Sequence, residues 1–180
     1  MTLPPMWKNW LIQTVTQPYN GETPAKRPRT CIVGVGSDLR GDDTAGVKVS
    51  RSLRRSLRER VHVGDDSRLL VLDGGPAPEN LTGQVRSFRP ELVVFVDAAH
   101  MEEPPGTIQW IPLDAIDGMS ASTHSLPLSM LARYLTLELG CDVAVLGIQP
   151  GQNEVSTKTS PPVQAAIKEV VAGIKEVFFR

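Results

Sequence analysis

Asp43, Asp97 and His124 are the residues of this chain whose types suit chemistry on a cation. Two carboxylates and a neutral imidazole make an O,O,N donor set that can leave coordination positions open. Such a set suits nickel, zinc, cobalt or manganese and does not select among them. A carboxylate in the same place can also orient or deprotonate a water. Each residue has a plainer role when taken singly. Asp43 is a first-turn helix acid, Asp97 a loop acid holding backbone N–H groups, and His124 a loop histidine bonded to backbone. His124 stands in STHSLP, just ahead of a helical pattern. Positive dipole character there favours neutral imidazole, the form that binds metal.

Asp43 belongs to GVGSDLRGDDTAG, residues 34–46. The stretch opens like a dinucleotide loop, with Gly34 and Gly36, but Leu39 stands where the third glycine belongs and Gly41 comes two places late. Asp73, at the end of the next apolar run, imitates the acid that binds a ribose. The electrostatics oppose phosphate. A pyrophosphate needs the free N–H groups and positive dipole of a helix start, and Asp42 and Asp43 put negative charge there. Asp42 reads as the N-cap of the helix that follows.

The elements that must carry these residues alternate in type. CIVGVG, RLLVLDGG, PELVVFVDAA, GTIQWIPL and DVAVLGIQP read as strands. DDTAGVKVSRSLRRSLRER, PAPENLTGQVRSF, LPLSMLARYLTLEL and SPPVQAAIKEVVAGIKEVFF read as helices, the third ended by Gly140. Strands apolar throughout fit parallel pairing under helices on both faces. The fold expected is α/β: a three-layer sandwich around a doubly wound, mostly parallel twisted sheet of about five strands. GTIQWIPL follows a connection too short for a helical crossover, so it is expected as an antiparallel edge strand. In such sheets ligands collect beyond the carboxyl ends of the strands, where GDD, LDGG, VDAA and GIQPGQ all fall. That topology gathers Asp43, Asp97 and His124, with Gly36, Asp73, Gly74, Gly147 and Gln149 as further candidates for touching a substrate.

Composition narrows the rest. Nineteen basic and 20 acidic side chains among 180 residues leave a net charge of −1, and aromatics are 5%. Neither a field for nucleic acid nor stacking platforms is expected. Cys31 and Cys141 each open an apolar run and read as reduced, buried thiols of a cytoplasmic protein. No run is apolar enough to cross a bilayer. Residues 1–30 read as a lead-in, a short amphipathic helix packed on the domain followed by a Pro/Gly-rich linker, with one domain over 31–180. The arginines of RSLRRSLRER read as the solvated side of a helix, or as a docking patch for an acidic partner. Ser129 has no base beside it and no nucleophile elbow, so serine hydrolysis is unsupported.

GVGSDLRGDD, LDGG with APENLTG behind it, VDAA, THSLPLS and GIQP, in that order, resemble the hydrogenase-maturation endopeptidases, above all those of the formate-hydrogenlyase type. The resemblance runs from about Cys31 to the last helix. It implies a twisted α/β sandwich that removes the C-terminal extension of a nickel–iron hydrogenase large-subunit precursor after nickel insertion. Asp43, Asp97 and His124 match the family's nickel-contacting positions, Asp43 being the second acid of GDD. The family is grouped with aspartic-type and with metallopeptidases, and its nickel arrives in the substrate. The expected partner is that precursor. Other readings are a non-catalytic α/β metal- or nucleotide-sensing module and a hydrolase with its own permanent divalent metal.

Overall fold

The structure, a computed structural model, describes residues 5–16, 27–58, 68–119, 126–151 and 158–178. Five strands form one sheet: β1 (Thr30–Val35), β2 (Leu69–Gly75), β3 (Leu92–Ala98), β4 (Ile108–Ile111) and β5 (Asp142–Ile148). Their order across the sheet is β2-β1-β3-β5-β4. β1, β2, β3 and β5 are parallel, and β4 runs antiparallel at the edge against β5. Nine residues link β3 to β4, too few for a crossover helix, so the chain turns back on the far side of β5.

The α-helices are α1 (Met6–Thr16), α2 (Ala45–Arg58), α3 (Thr82–Phe88), α4 (Ile116–Met119), α5 (Leu128–Leu139) and α6 (Pro161–Phe178). Buried side chains divide between the two faces of the sheet. One cluster joins α1, α2 and α6 to Ile32, Val94, Val96 and Leu146. The other joins α3, α4 and α5 to Val33, Val93, Phe95 and Val145. Strand alternation explains the split, since successive residues face opposite layers. No described helix is long and apolar enough to cross a membrane.

Two glycines let α2 settle onto the sheet. A Cβ on Gly34 would collide with the Gly46 carbonyl, and one on Gly46 would collide with the carbonyls of Val35 and Val96. Backbone therefore meets backbone where α2 crosses β1 and β3, and the loop ahead of α2 is drawn down onto β3.

The lead-in helix α1 joins the core. Trp7 is 4% exposed, and Leu11 and Val15 are buried with it. The Trp7 indole lies against Gly173 of α6, where a Cβ would occupy the ring's space. Its Nε1 donates to Glu169 Oε1 at 3.0 Å. Trp110 Nε1 of the edge strand donates to the Trp7 carbonyl at 2.9 Å. Trp10 lies beside Trp110 with ring centroids 4.2 Å apart. The linker expected after α1 lies outside the described residues.

Candidate active site at the carboxyl ends of the strands

Strand order places β1 and β3 side by side, and the chain leaves them in opposite directions, to β2 on one side and to β4, beyond β5, on the other. That is the switch point of an open α/β sheet, where a crevice forms beyond the strand ends. Asp43 follows β1 and Asp97 ends β3, so both acids flank this crevice. Both are buried. The short 3₁₀ turn Gly41–Thr44 that carries Asp43 packs against β3.

Asp43 is positioned from below. Gly36 has φ +135°, a conformation closed to other residues, and a Cβ there would strike the Asp43 carbonyl. The Asp43 amide donates to Arg40 O at 2.7 Å. Asp43 Oδ2 accepts the Ser37 amide at 3.1 Å. The loop thus doubles back on itself and fixes the carboxylate. Asp97 shares the sheet face of Val93 and Phe95, the face that α4 and α5 cover. Its register partner is Gly147 of β5.

Asp42 does something different from the N-cap role its position implies. The helix α2 starts three residues later, and the buried Asp42 carboxylate turns toward α6. Oδ1 accepts the Ser160 amide at 2.6 Å, and Oδ2 accepts Ser160 Oγ and the Gly151 amide, each at 2.8 Å. Ser160 directly precedes α6, so this acid satisfies the free donors at that helix start. The adjacent aspartates therefore divide the work: one ties the loop to the β5–α6 connection, the other stays at the crevice.

The remaining sequence candidates sit as follows. Asp73 Oδ2 accepts Arg51 Nε at 2.6 Å, while the two Nη atoms of Arg51 pair with Asp38, each at 2.8 Å. Asp38, then Asp73, hold the Arg51 guanidinium above its ordinary pKa. Arg51 is thus a clamp over two rim carboxylates, against the expectation of a merely solvated arginine. Its place nearly two turns along α2 was readable, its reach was not. Gly74 packs against the Gly34 carbonyl, Val33 and Pro78. Gly147 is buried under Ile111 and Met101. Gln149 Oε1 accepts the Met101 amide at 2.7 Å, and Nε2 donates to Pro150 O at 3.1 Å. Its backbone meets Gly106 and Thr107, so the residue fastens the β3–β4 connection.

His124 lies outside the described residues. Among the described residues no three of His, Cys, Asp or Glu cluster closely enough to hold a metal ion. Sequence reading also missed Asp117. It accepts the Ser129 amide at 3.1 Å and the Ser129 hydroxyl, capping α5 across the 120–125 segment. This gives Ser129 a helix-capping partner. Lys48, Thr44 and Thr159 form a further buried polar knot, with Thr44 Oγ1 and Thr159 Oγ1 3.1 Å apart.

The fold is a doubly wound α/β sandwich that carries buried carboxylates where a nucleotide fold keeps its phosphate site. The sequence profile of the hydrogenase maturation protease family matches residues 47–177. The chain belongs to that family and is a hydrolase of the endopeptidase kind. It is 34% identical over 140 residues to the hydrogenase 3 maturation protease of Escherichia coli K12, covering 77% of this chain and 84% of that one. It is 33% identical over 119 residues to a putative hydrogenase maturation protease of Methanocaldococcus jannaschii, covering 66% of this chain and 70% of that one. Among solved structures, the NiFe hydrogenase maturation protease HycI of Thermococcus kodakarensis superposes with a TM-score of 0.72 at 33% identity. That match covers 84% of this chain and 93% of the other. The endopeptidase HycI of Escherichia coli gives 0.67 at 31% identity, over 82% and 90%.

Proposed function

We propose that this endopeptidase removes the C-terminal extension of a nickel–iron hydrogenase large-subunit precursor and recognises the nickel already inserted there. The observation that carries the reading is the pair of buried acids, Asp43 and Asp97, flanking the switch-point crevice of a family member. A cation presented by a client matches the charge of two carboxylates held at one end of the sheet. In this reading Asp43, Asp97 and His124 contact the nickel, which is part of the substrate. Binding then reports that metal insertion has taken place.

Hydrolysis follows at a peptide bond beside the metal. A rim carboxylate, Asp43 or Asp97, takes a proton from the attacking water, the water oxygen bonds to the scissile carbonyl carbon, and the C–N bond breaks as the leaving nitrogen is protonated. The Ser37 amide keeps Asp43 oriented for either task. Asp42 fixes the loop from behind through Ser160 and Gly151.

The test is cleavage of purified precursor with and without nickel by the wild-type chain and by His124→Ala. Cleavage of nickel-loaded precursor alone, abolished in a folded His124→Ala, is expected. Equal cleavage of both precursor forms would remove the metal from recognition. A stoichiometric ion retained by the isolated peptidase would instead make the metal its own.

A further inference from the structure

The amino-terminal edge of the sheet, opposite the acidic crevice, holds a groove with the reverse charge. It is open, about 760 Å³, and lined by Arg29, Arg86, Ser87, Phe88 and Arg89. Three guanidiniums face it and none of its lining residues is acidic. The nearest carboxylates lie beside the groove: Glu138 is 3.6 Å from Arg86, and Glu91 accepts the Arg29 amide and lies 3.8 Å from Arg68.

Two of the arginines are held ready. Arg29 lies over the Phe88 ring, 4.4 Å from its centroid, and donates to the Phe88 carbonyl through Nε at 3.0 Å and Nη2 at 2.8 Å. Arg86 donates to the Tyr134 hydroxyl. Arg89 closes α3 in the left-handed region, at φ 51°, where glycine or asparagine is the relaxed choice. Its side chain makes no hydrogen bond or ion pair among the described residues. A strained backbone thus presents a charge that nothing in the described fold uses.

The groove continues onto an apolar stripe. Met130, Tyr134 and Leu137, spaced four and three apart on α5, are 57%, 39% and 76% exposed. The Arg86–Tyr134 hydrogen bond joins this stripe to the basic groove.

We infer that the groove and the α5 stripe together form a docking surface for a partner protein, which presents an acidic segment with apolar side chains beside its carboxylates. Guanidiniums match carboxylates in charge and in forked geometry. The exposed leucine and methionine select polypeptide, since a phosphate polymer offers them nothing to bury. The basic groove lies at the far end of the strands from Asp43 and Asp97, and the stripe extends from it along α5, so docking and cleavage can be engaged at once.

The experiment is fluorescence anisotropy of the full chain with a fluorescein-labelled synthetic peptide that combines glutamate clusters with leucine. Saturable binding that weakens with salt is expected, and none for a peptide with glutamine in place of glutamate. Arg89→Gly removes charge while relaxing the backbone. It should raise the melting temperature and weaken binding about fivefold. Arg86→Glu with Arg89→Glu should weaken it more than about tenfold. Leu137→Ser should weaken it about threefold, with the salt dependence unchanged. No binding at low salt, or binding indifferent to these substitutions, overturns the inference. So does equal competition by polyphosphate. A dimer in sedimentation that Leu137→Ser dissolves would give the surface to a second copy and overturn it as well.

Discussion

Replacing Asp42 by Asn, and Asp43 by Asn in a second variant, separates two adjacent buried acids with different partners. Asp42 accepts from two amides and one hydroxyl, at 2.6, 2.8 and 2.8 Å, in a site closed to water. An asparagine of the same shape keeps one oxygen. It can still accept the Ser160 amide, and its new NH2 can donate to Ser160 Oγ. That NH2 must then face the Gly151 amide, donor against donor. One charge-assisted bond is lost and one buried N–H is stranded, at about 2 kcal/mol. For a domain of this size that lowers Tm by roughly 4–8 °C. Alanine strands all three donors and costs about 4 kcal/mol. Asp43→Asn is expected to abolish cleavage of nickel-loaded precursor with less than half the Tm loss of Asp42→Asn. Differential scanning calorimetry and the cleavage assay read the two axes. An Asp42→Asn protein of wild-type stability, or an Asp43→Asn protein that is active and much less stable, would refute this division of labour.

Two further outcomes follow from the core. Trp7→Ala removes an indole seated on Gly173, worth about 3–5 kcal/mol. An 11-residue helix is marginal alone, so α1 should undock while the sheet stays folded. Red-shifted Trp10 and Trp110 emission with a retained main unfolding transition is expected, and loss of both together would refute it. Burial, then the neighbouring Cys141, pushes the Cys31 thiol from 9.0 up to about 12, and burial raises Cys141 as well. The folded state keeps these protons longer than the unfolded chain, so stability is full below pH 9.0 and falls as pH rises toward about 12. Between those values the slope from Cys31 is about 1.4 kcal/mol per pH unit, and Cys141 acts in the same direction. Urea midpoints at rising alkaline pH should fall more steeply for the wild type than for Cys31→Ala/Cys141→Ala, and equal slopes would count against it.

Much of the architecture was legible because period and punctuation are local. Continuous apolar runs mark β1, β3 and β5 as covered on both faces, Gly140 marks the end of α5, and the short β3–β4 connection forces the antiparallel edge. The GDD, LDGG, VDAA, THSLP and GIQP segments carried the family resemblance in the same local way. Side-chain partnerships were not legible, because they span great lengths of chain. Asp42 meets Ser160 across 118 residues and Trp7 meets Glu169 across 162.

By itself, then, the sequence determined the strand-and-helix alternation, the rim at which Asp43 and Asp97 must emerge, and the acidic character of the loop after β1. Only the tertiary structure decided that Asp42 serves α6 and not α2, that Arg51 spans Asp38 and Asp73, that α1 belongs to the core, and that basic side chains gather at the opposite edge. Backbone preference is written residue by residue along the chain. Which buried donor meets which acceptor depends on how the layers close over one another.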